Sequence, residues 1–227
     1  MEGSAAAILD ELYRMRFEMV RAERPGATFI GGGTLTTDAG HILFVGEPGG
    51  GKSTLLTHLA DLGWPVSGDQ QLIVEEGSAM PFPNTLRVRR GALALLSARA
   101  ADIVRASPRI PGWFDNPTYS VAPSAFGRPW KIRPAPLLDV VVVCANHGGG
   151  SRLKPLHRAI AMEMMFRDLV LPDTGRANAF AMIHRLISSA GCWELSSGRL
   201  DGAQRLLQGL IGLERQGGLS GARHAER

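Results

Sequence analysis

The sequence predicts an α/β fold in which a mixed central sheet is flanked by helices. Three observations favour it: an apolar strand that runs through a glycine-rich loop into a helix over 41–62, a β-branched strand over 137–145, and helical patterns in the last third of the chain. Valines facing both ways are typical of a central strand covered on both sides. Strands that alternate with helices favour an open α/β sheet.

The first half of the chain divides into short elements separated by turn residues. An apolar stripe predicts a helix over 5–24 that Pro25 ends, and it leaves open whether this helix packs on the domain edge or serves in association. Turn signals between apolar runs then predict the following elements: a hairpin of 27–37 and 41–46, a helix over 52–62, and strands at 71–74 and 85–89. The strand at 71–74 is expected to lie in the same sheet as the strand at 41–46.

The second half is less regular until residue 137. We expect helical structure over 92–105, a proline-rich and aromatic excursion over 107–136, and a glycine-rich loop after the strand at 137–145. Two interpretations of this segment are equally favoured: a functional segment, or a surface loop stiffened by proline. Helices are expected over 156–169, 176–190 and 201–215, with Met162, Met164 and Met165 packed in the core.

Bulk composition excludes several classes of protein. The 227 residues are 44% hydrophobic and 20% charged, with a net charge of +4, which is an ordinary profile for a chain with a sizeable core. The apolar runs fall short of a membrane span, and the N-terminus lacks a secretory signal pattern, so we expect a cytoplasmic protein without a membrane partner. Cys144 and Cys192 are far apart and are expected to be reduced thiols. The dispersed arginines suit anionic ligands better than nucleic acid.

A phosphate-binding loop carries most of the functional prediction. The run Gly46, Glu47, Pro48, Gly49, Gly50, Gly51, Lys52, Ser53 and Thr54 fits G-x-x-x-x-G-K-[ST] and lies between a strand and a helix. Glycines let backbone N–H groups turn onto a phosphate, and the helix adds its positive end. Lys52 would reach the β- and γ-phosphates of a nucleotide, and Ser53 would bind Mg²⁺.

Three further groups of residues are candidates for the same site. Asp69, 17 residues after Lys52, could bind Mg²⁺ or accept the proton of an acceptor hydroxyl, but the position alone fits a turn aspartate equally well. Arg152, with Lys154 beside it, could neutralise a transferring phosphoryl group if its loop shares the phosphate edge of the sheet. The alternating arginines at 87–90 could line a groove for an acidic peptide, although a solvated strand face is the favoured interpretation.

The stretch from Gly46 to Val74 resembles the HPr kinase/phosphorylase superfamily. It is most similar to the small HPr-kinase-related proteins of bacterial peptide-modification clusters, such as lasso-peptide precursor kinases. The shared pattern is the P-loop, a helix of this length, a glycine, and an acidic residue before a strand, and Asp69 falls on the first aspartate of the family's Asp-Asp pair. Two positions depart from the pattern: Gln70 occupies the place of the second aspartate, and Gly31 the place of a histidine.

The resemblance implies a P-loop kinase core of the HPr kinase/PEP carboxykinase type. It implies a P-loop kinase domain over 26–215, between an N-terminal helix over 1–25 and a flexible tail over 216–227. It further implies transfer of phosphate from ATP to a serine hydroxyl of a peptide or small protein, with Asp69 as general base, Mg²⁺ held at Ser53 and Asp69, and a cation such as Arg152 at the transferring phosphoryl group. HPr kinases are hexamers, which leaves a homo-oligomer open.

Two other functions stay open on the sequence. The chain could be a P-loop kinase of a small metabolite, with 107–136 as a lid, or a nucleotide-binding regulatory module with little transfer activity because of Gln70. A transporter ATPase is disfavoured because the chain has no L-S-G-G-Q signature, and a GTPase because it has no N-K-x-D motif.

Overall fold

The computed structural model describes residues 2–110, 118–147, 149–173 and 175–217. Six helices are α1 (Glu2–Glu23), α2 (Lys52–Asp61), α3 (Ala98–Ala106), α4 (Arg158–Arg167), α5 (Arg176–Ser188) and α6 (Leu200–Gly217). The strands are β1 (Thr28–Gly31), β2 (Gly33–Thr36), β3 (His41–Val45), β4 (Val66–Gly68), β5 (Gln71–Glu75), β6 (Ser78–Pro81), β7 (Leu86–Arg89), β8 (Arg109–Ile110), β9 (Thr118–Val121), β10 (Leu137–Ala145), β11 (Arg152–Pro155), β12 (Leu169–Val170) and β13 (Gly191–Ser197).

A six-stranded mixed sheet forms the centre of the fold, in the order β11-β13-β10-β3-β2-β4. The strands β3, β10 and β13 run parallel, and their neighbours towards both edges are antiparallel. One buried cluster packs residues of α2 and α6 on one face of this sheet, and another packs residues of α4 and α5 on the opposite face. The expected α/β architecture, a mixed central sheet flanked by helices, is therefore confirmed.

The valine-rich strand is central, as its composition predicts. β10 lies between β3 and β13, and Val140, Val141, Val142 and Val143 are all buried. Because its neighbours are parallel to it, the carboxyl ends of β3, β10 and β13 meet at one edge of the sheet. The loop that follows β3 is the P-loop, so this edge is where a phosphate ligand would bind.

The strand that follows Asp69 does not lie in the sheet that we expected. β5 belongs to a separate four-stranded sheet, β12-β1-β5-β6, while a third sheet has the order β7-β9-β8. The strand that connects Asp69 to the P-loop sheet is β4, immediately before it, which pairs with β2. At three residues, β4 is too short for sequence periodicity to reveal.

Several other element predictions are corrected by the structure. The expected loop at 152–155 is the edge strand β11, and a short strand for which the sequence made no prediction, β6, covers Ser78–Pro81. The helical region at 92–105 is a 3-10 helix over Arg90–Leu95 followed by α3, for which Ser97 is the N-cap. The expected excursion over 107–136 contains the strands β8 and β9, and its aromatic residues at 113 and 114 lie outside the described residues.

The N-terminal helix packs on the second sheet through Phe17. Phe17 places its ring edge-on to Phe29 and Phe82, with centroid separations of 5.1 and 5.9 Å. Ile8, Leu12, Met15 and Met19 lie on the opposite, exposed side of α1. Within the described residues, no helix is long and apolar enough to cross a membrane. The core methionine prediction also holds, since Met165 is fully buried and Met162 and Met164 pack around it.

A run of three glycines carries the chain from the second sheet into the P-loop sheet. Gly31 ends β1, and Gly33 begins β2. A methyl group on Gly31 would lie 2.3 Å from Asp168 Cβ and 3.0 Å from the Asp168 carbonyl oxygen. The absence of a side chain at residue 31 is therefore what allows the Asp168 corner, at the end of α4, to approach β1.

We expect the substitution Gly31→Ala to destabilise the fold by about 1–3 kcal/mol, because the Asp168 corner has to move away from the added methyl group. Gly26→Ala is a matched control, since a methyl group there would meet no heavy atom within 4 Å. Urea unfolding would measure both free energies of unfolding. Equal values for the two variants would contradict the close packing of Asp168 on Gly31.

Candidate functional site at the P-loop

The loop between β3 and α2 has the backbone conformation that phosphate-binding loops require. Gly46, Gly49 and Gly51 have positive φ angles of 147°, 86° and 91°. These lie in regions that favour glycine. At Gly46 a side chain is excluded as well, because its Cβ would lie 2.4 Å from the carbonyl oxygen of Val143 on β10. The glycines of the motif are thus needed both for the turn and for close packing on the central strand.

The helix α2 presents its N-terminus to this loop. It begins at Lys52, after Gly51, and no side chain caps it. Its first N–H groups and the positive end of its dipole are therefore available to an anion. The Lys52 ammonium donates to the carbonyl oxygens of Gly46 and Glu47, at 2.5 and 3.1 Å, so it lies folded over the loop.

Asp69 contacts Ser53, the residue that follows Lys52 at the start of α2. The Ser53 hydroxyl donates to Asp69 Oδ2 at 2.5 Å, and the backbone N–H of Arg87 donates to the same oxygen at 3.2 Å. The backbone N–H of Gln70 donates to Asp69 Oδ1 at 3.0 Å. Burial raises the pKa of Asp69, and the three hydrogen bonds and the Lys52 charge act in the opposite direction. The structure therefore brings Lys52, Ser53 and Asp69 together.

Gln70 has an unusual backbone that serves this carboxylate. Its φ angle is 89°, a left-handed conformation that is uncommon for a residue other than glycine. The Gln70 N–H donates to Asp69, and the Gln70 carbonyl oxygen accepts from the N–H of Gly32 at 2.9 Å. Residue 70 thus contributes its backbone to the site, orienting Asp69 and tying it to the glycine run.

The oxygen atoms at this point suit a magnesium ion. Ser53 and Asp69 supply a hydroxyl and a carboxylate, which are the hard ligands that Mg²⁺ prefers. Among the described residues, no group of three or more His, Cys, Asp or Glu side chains could hold a metal by itself. A magnesium ion here would therefore share its coordination with phosphate oxygens, as is usual for Mg²⁺ bound with a nucleotide.

Two arginines that the sequence did not assign to the loop lie beside it. Arg89, at the end of β7, places Nη1 3.7 Å from the position of a methyl group on Gly49, and its charge acts to lower the pKa of Lys52. Arg167, at the end of α4, forms an ion pair with Glu47 of the loop. The alternation of arginines along 87–90 was the one sequence signal for Arg89, and it favoured a solvated face.

Arg152 lies farther from the loop than the sequence suggested. It is exposed at the first residue of β11, and three inter-strand steps separate β11 from β3. At about 4.8 Å a step, this distance is about 14 Å across the sheet edge. Lys154, two residues on, is paired with Glu194 of β13 at 2.9 Å. The structure thus places Arg152 at the expected edge of the sheet but does not bring it to the P-loop.

The N-terminal helix contacts the strand that holds Asp69. Arg87, whose N–H binds that carboxylate, extends its guanidinium to Asp10 of α1 at 3.0 Å and stacks over Tyr13. Arg16 of α1 donates to the Pro83 carbonyl oxygen and to Asn84 Oδ1, at 2.5 and 2.7 Å. These contacts support β7 from outside, so α1 helps to fix the backbone behind the site.

Together these features define an α/β protein with a P-loop at the carboxyl edge of its central sheet. No family model and no curated protein matches the sequence. Among solved structures, the Hpr(Ser) kinase/phosphatase from Coxiella burnetii is similar to this chain, with a TM-score of 0.38 and 12% sequence identity, over 83% of this chain and 96% of that chain. A likeness this distant assigns no activity, which has to be inferred from the residues of the site.

Proposed function

We propose that this chain is an ATP- and Mg²⁺-dependent kinase that phosphorylates a serine hydroxyl of a peptide or small protein. The observation that carries the proposal is the contact between Ser53 and Asp69 directly below the P-loop. A phosphoryl-transfer site needs a phosphate cradle, a metal position and a carboxylate near the reacting oxygen. Here all three arise within the Gly46–Asp69 segment.

Each residue of the P-loop site has a separate role in the proposed reaction. The loop N–H groups and Lys52 hold the nucleotide phosphates, and the Ser53 hydroxyl and Asp69 hold Mg²⁺. Bound Mg²⁺ supplies charge neutralisation at the phosphates. Asp69 would accept the proton of the acceptor hydroxyl. Most of the catalysis would come from positioning and electrostatics.

The exposure of the P-loop to solvent supports an acceptor hydroxyl that belongs to a peptide or protein. Glu47, Pro48 and Gly49 are exposed, so the outer side of the loop is open to solvent. A cavity of about 510 Å³ lies beside the start of α6, and no P-loop residue lines it. A small metabolite would be better served by an enclosed pocket at the phosphates. We therefore favour a peptide or small protein over a metabolite.

Incubation with γ-labelled ATP, Mg²⁺ and serine-containing peptides, followed by mass spectrometry, would test the proposal. The expected result is a gain of one phosphate on a serine of the peptide. Transfer only to small hydroxyl compounds would instead identify a metabolite kinase. Tight ATP binding without transfer to any acceptor would identify a regulatory module, the function that the amide at Gln70 favours.

A further inference from the structure

A second carboxylate lies beside the P-loop, on a part of the chain far from it in sequence. Asp168 follows α4 and accepts the N–H of Gly31 with its backbone carbonyl oxygen at 2.9 Å. Its Cβ occupies the space in which a side chain at residue 31 would lie. The Asp168 side chain therefore stands over the first glycine of the run that connects β1 to β2.

The same glycine run carries Asp69 at its other end. A methyl group on Gly33 would lie 3.4 Å from Asp69 Oδ1. Two residues of extended chain span at most about 7 Å, so the two carboxylates approach neighbouring points of one short segment. Burial lowers the pKa of Lys52, and the negative charges of Asp69 and Asp168 act in the opposite direction. Lys52 marks the place where the β- and γ-phosphates would lie.

An ion pair of the neighbouring residue, Arg167, joins the α4–β12 corner to the P-loop. Arg167 is paired with Glu47, the second residue of the P-loop motif. Two consecutive residues of the α4–β12 corner thus hold it in place, Arg167 through its ion pair with Glu47 and Asp168 through its contact with Gly31. Asp168 itself is exposed, so its carboxylate is open to an incoming ligand.

We propose that Asp168 is the second carboxylate of this site and binds, together with Asp69, the Mg²⁺ that enters with the nucleotide. Sites that bind Mg²⁺ with nucleotide phosphates commonly use one or two carboxylates. The proposal rests on the proposed function of this loop as a nucleotide site. It adds a residue from 99 positions after Asp69, which no motif in the sequence includes.

Metal binding can be measured without any transfer. Mn²⁺ replaces Mg²⁺ as an EPR probe, with a non-hydrolysable ATP analogue, and nucleotide affinity is measured with and without EDTA. In Asp168→Asn and Asp168→Ala we expect Mn²⁺ affinity of the nucleotide complex to fall by at least about tenfold. Affinity for the metal-free analogue should be unchanged or higher, since a negative charge near the phosphates is removed. Asp173→Asn, the same change at a nearby exposed aspartate, is the matched control.

Each outcome decides the question. Unchanged Mn²⁺ affinity in both Asp168 variants, with loss in Asp69→Asn, would overturn the role of Asp168 and leave the kinase proposal standing. A fall in metal-free nucleotide affinity equal to the fall in Mn²⁺ affinity would also overturn it, because that pattern indicates a general disturbance of the loop. If the unmodified protein binds no nucleotide, the proposed function fails and this inference fails with it. Matching circular dichroism melting curves would show that the variants are folded.

Discussion

The substitution Asp69→Asn is expected to lower phosphate transfer by about 10²–10⁴-fold, the usual contribution of a general base. The asparagine has nearly the same shape but cannot take a proton, and it carries an N–H₂ group where Ser53 and two backbone N–H groups now donate. Nucleotide binding in EDTA should survive, because the P-loop backbone and Lys52 are untouched. Single-turnover transfer from labelled ATP and a separate equilibrium binding assay would measure the two effects.

A second buried aspartate provides the control for that experiment. Asp139 on β10 is 4% exposed, close to the 3% of Asp69, and accepts from Trp193 Nε1 at 2.6 Å. It pairs in register with Ile42 near the start of β3, at the end of the sheet away from the P-loop. Asp139→Asn should therefore leave transfer near the unmodified rate. Undiminished transfer in Asp69→Asn, or an equal loss in both variants, would contradict the role of Asp69 as the base.

The P-loop could be predicted because all of its requirements are local. The glycines, Lys52 and Ser53 form one continuous run, and the strand and the helix that position them are adjacent in the chain. The helix α2 begins at Lys52 and ends at Asp61, within one residue of the expected end. The central position of β10 was predictable for the same reason, since its valines report burial on both faces.

The rest of the site depends on contacts between distant segments, which periodicity cannot reveal. Asp168 lies against Gly31 because the two-residue strand β12, which has no sequence signal of its own, pairs with β1. Arg89 lies next to Gly49 at the end of β7, a strand of the third sheet that pairs with the distant β9. The prediction for Arg152 depended on a loop where the structure has β11, and the intervening strand β13 was not expected at all.

Gly31 and Gln70, the two departures from the pattern that the sequence resembles, have structural roles that the sequence did not predict. Residue 31 has no side chain and residue 70 has an amide, which, taken one at a time, look like losses from the site. In the structure Gly31 provides the space that Asp168 fills, and the backbone N–H of Gln70 donates to Asp69. Both positions therefore serve the two carboxylates through their backbone, a role that residue identity alone does not disclose.

The substitution Arg89→Gln is expected to lower phosphate transfer by about 10³-fold or more, the range seen when an arginine that neutralises the transferring phosphoryl group is removed. Arg89 is the cation that the structure places next to Gly49, whereas Arg152 begins a strand that lies three inter-strand steps, about 14 Å, from β3. Glutamine keeps much of the side-chain length and removes the charge. Transfer rates at saturating ATP would separate this loss from weaker nucleotide binding.

Two further variants would show whether the loss of phosphate transfer is specific to Arg89. Arg90→Gln removes the same charge one residue later, on an exposed side chain at the start of the 3-10 helix, and should change the rate less than about threefold. Arg152→Gln tests the cation that the sequence favoured. A large loss in Arg152→Gln with a normal rate in Arg89→Gln would reverse the assignment, and would mean that β11 and its preceding loop move to the P-loop when nucleotide and acceptor bind.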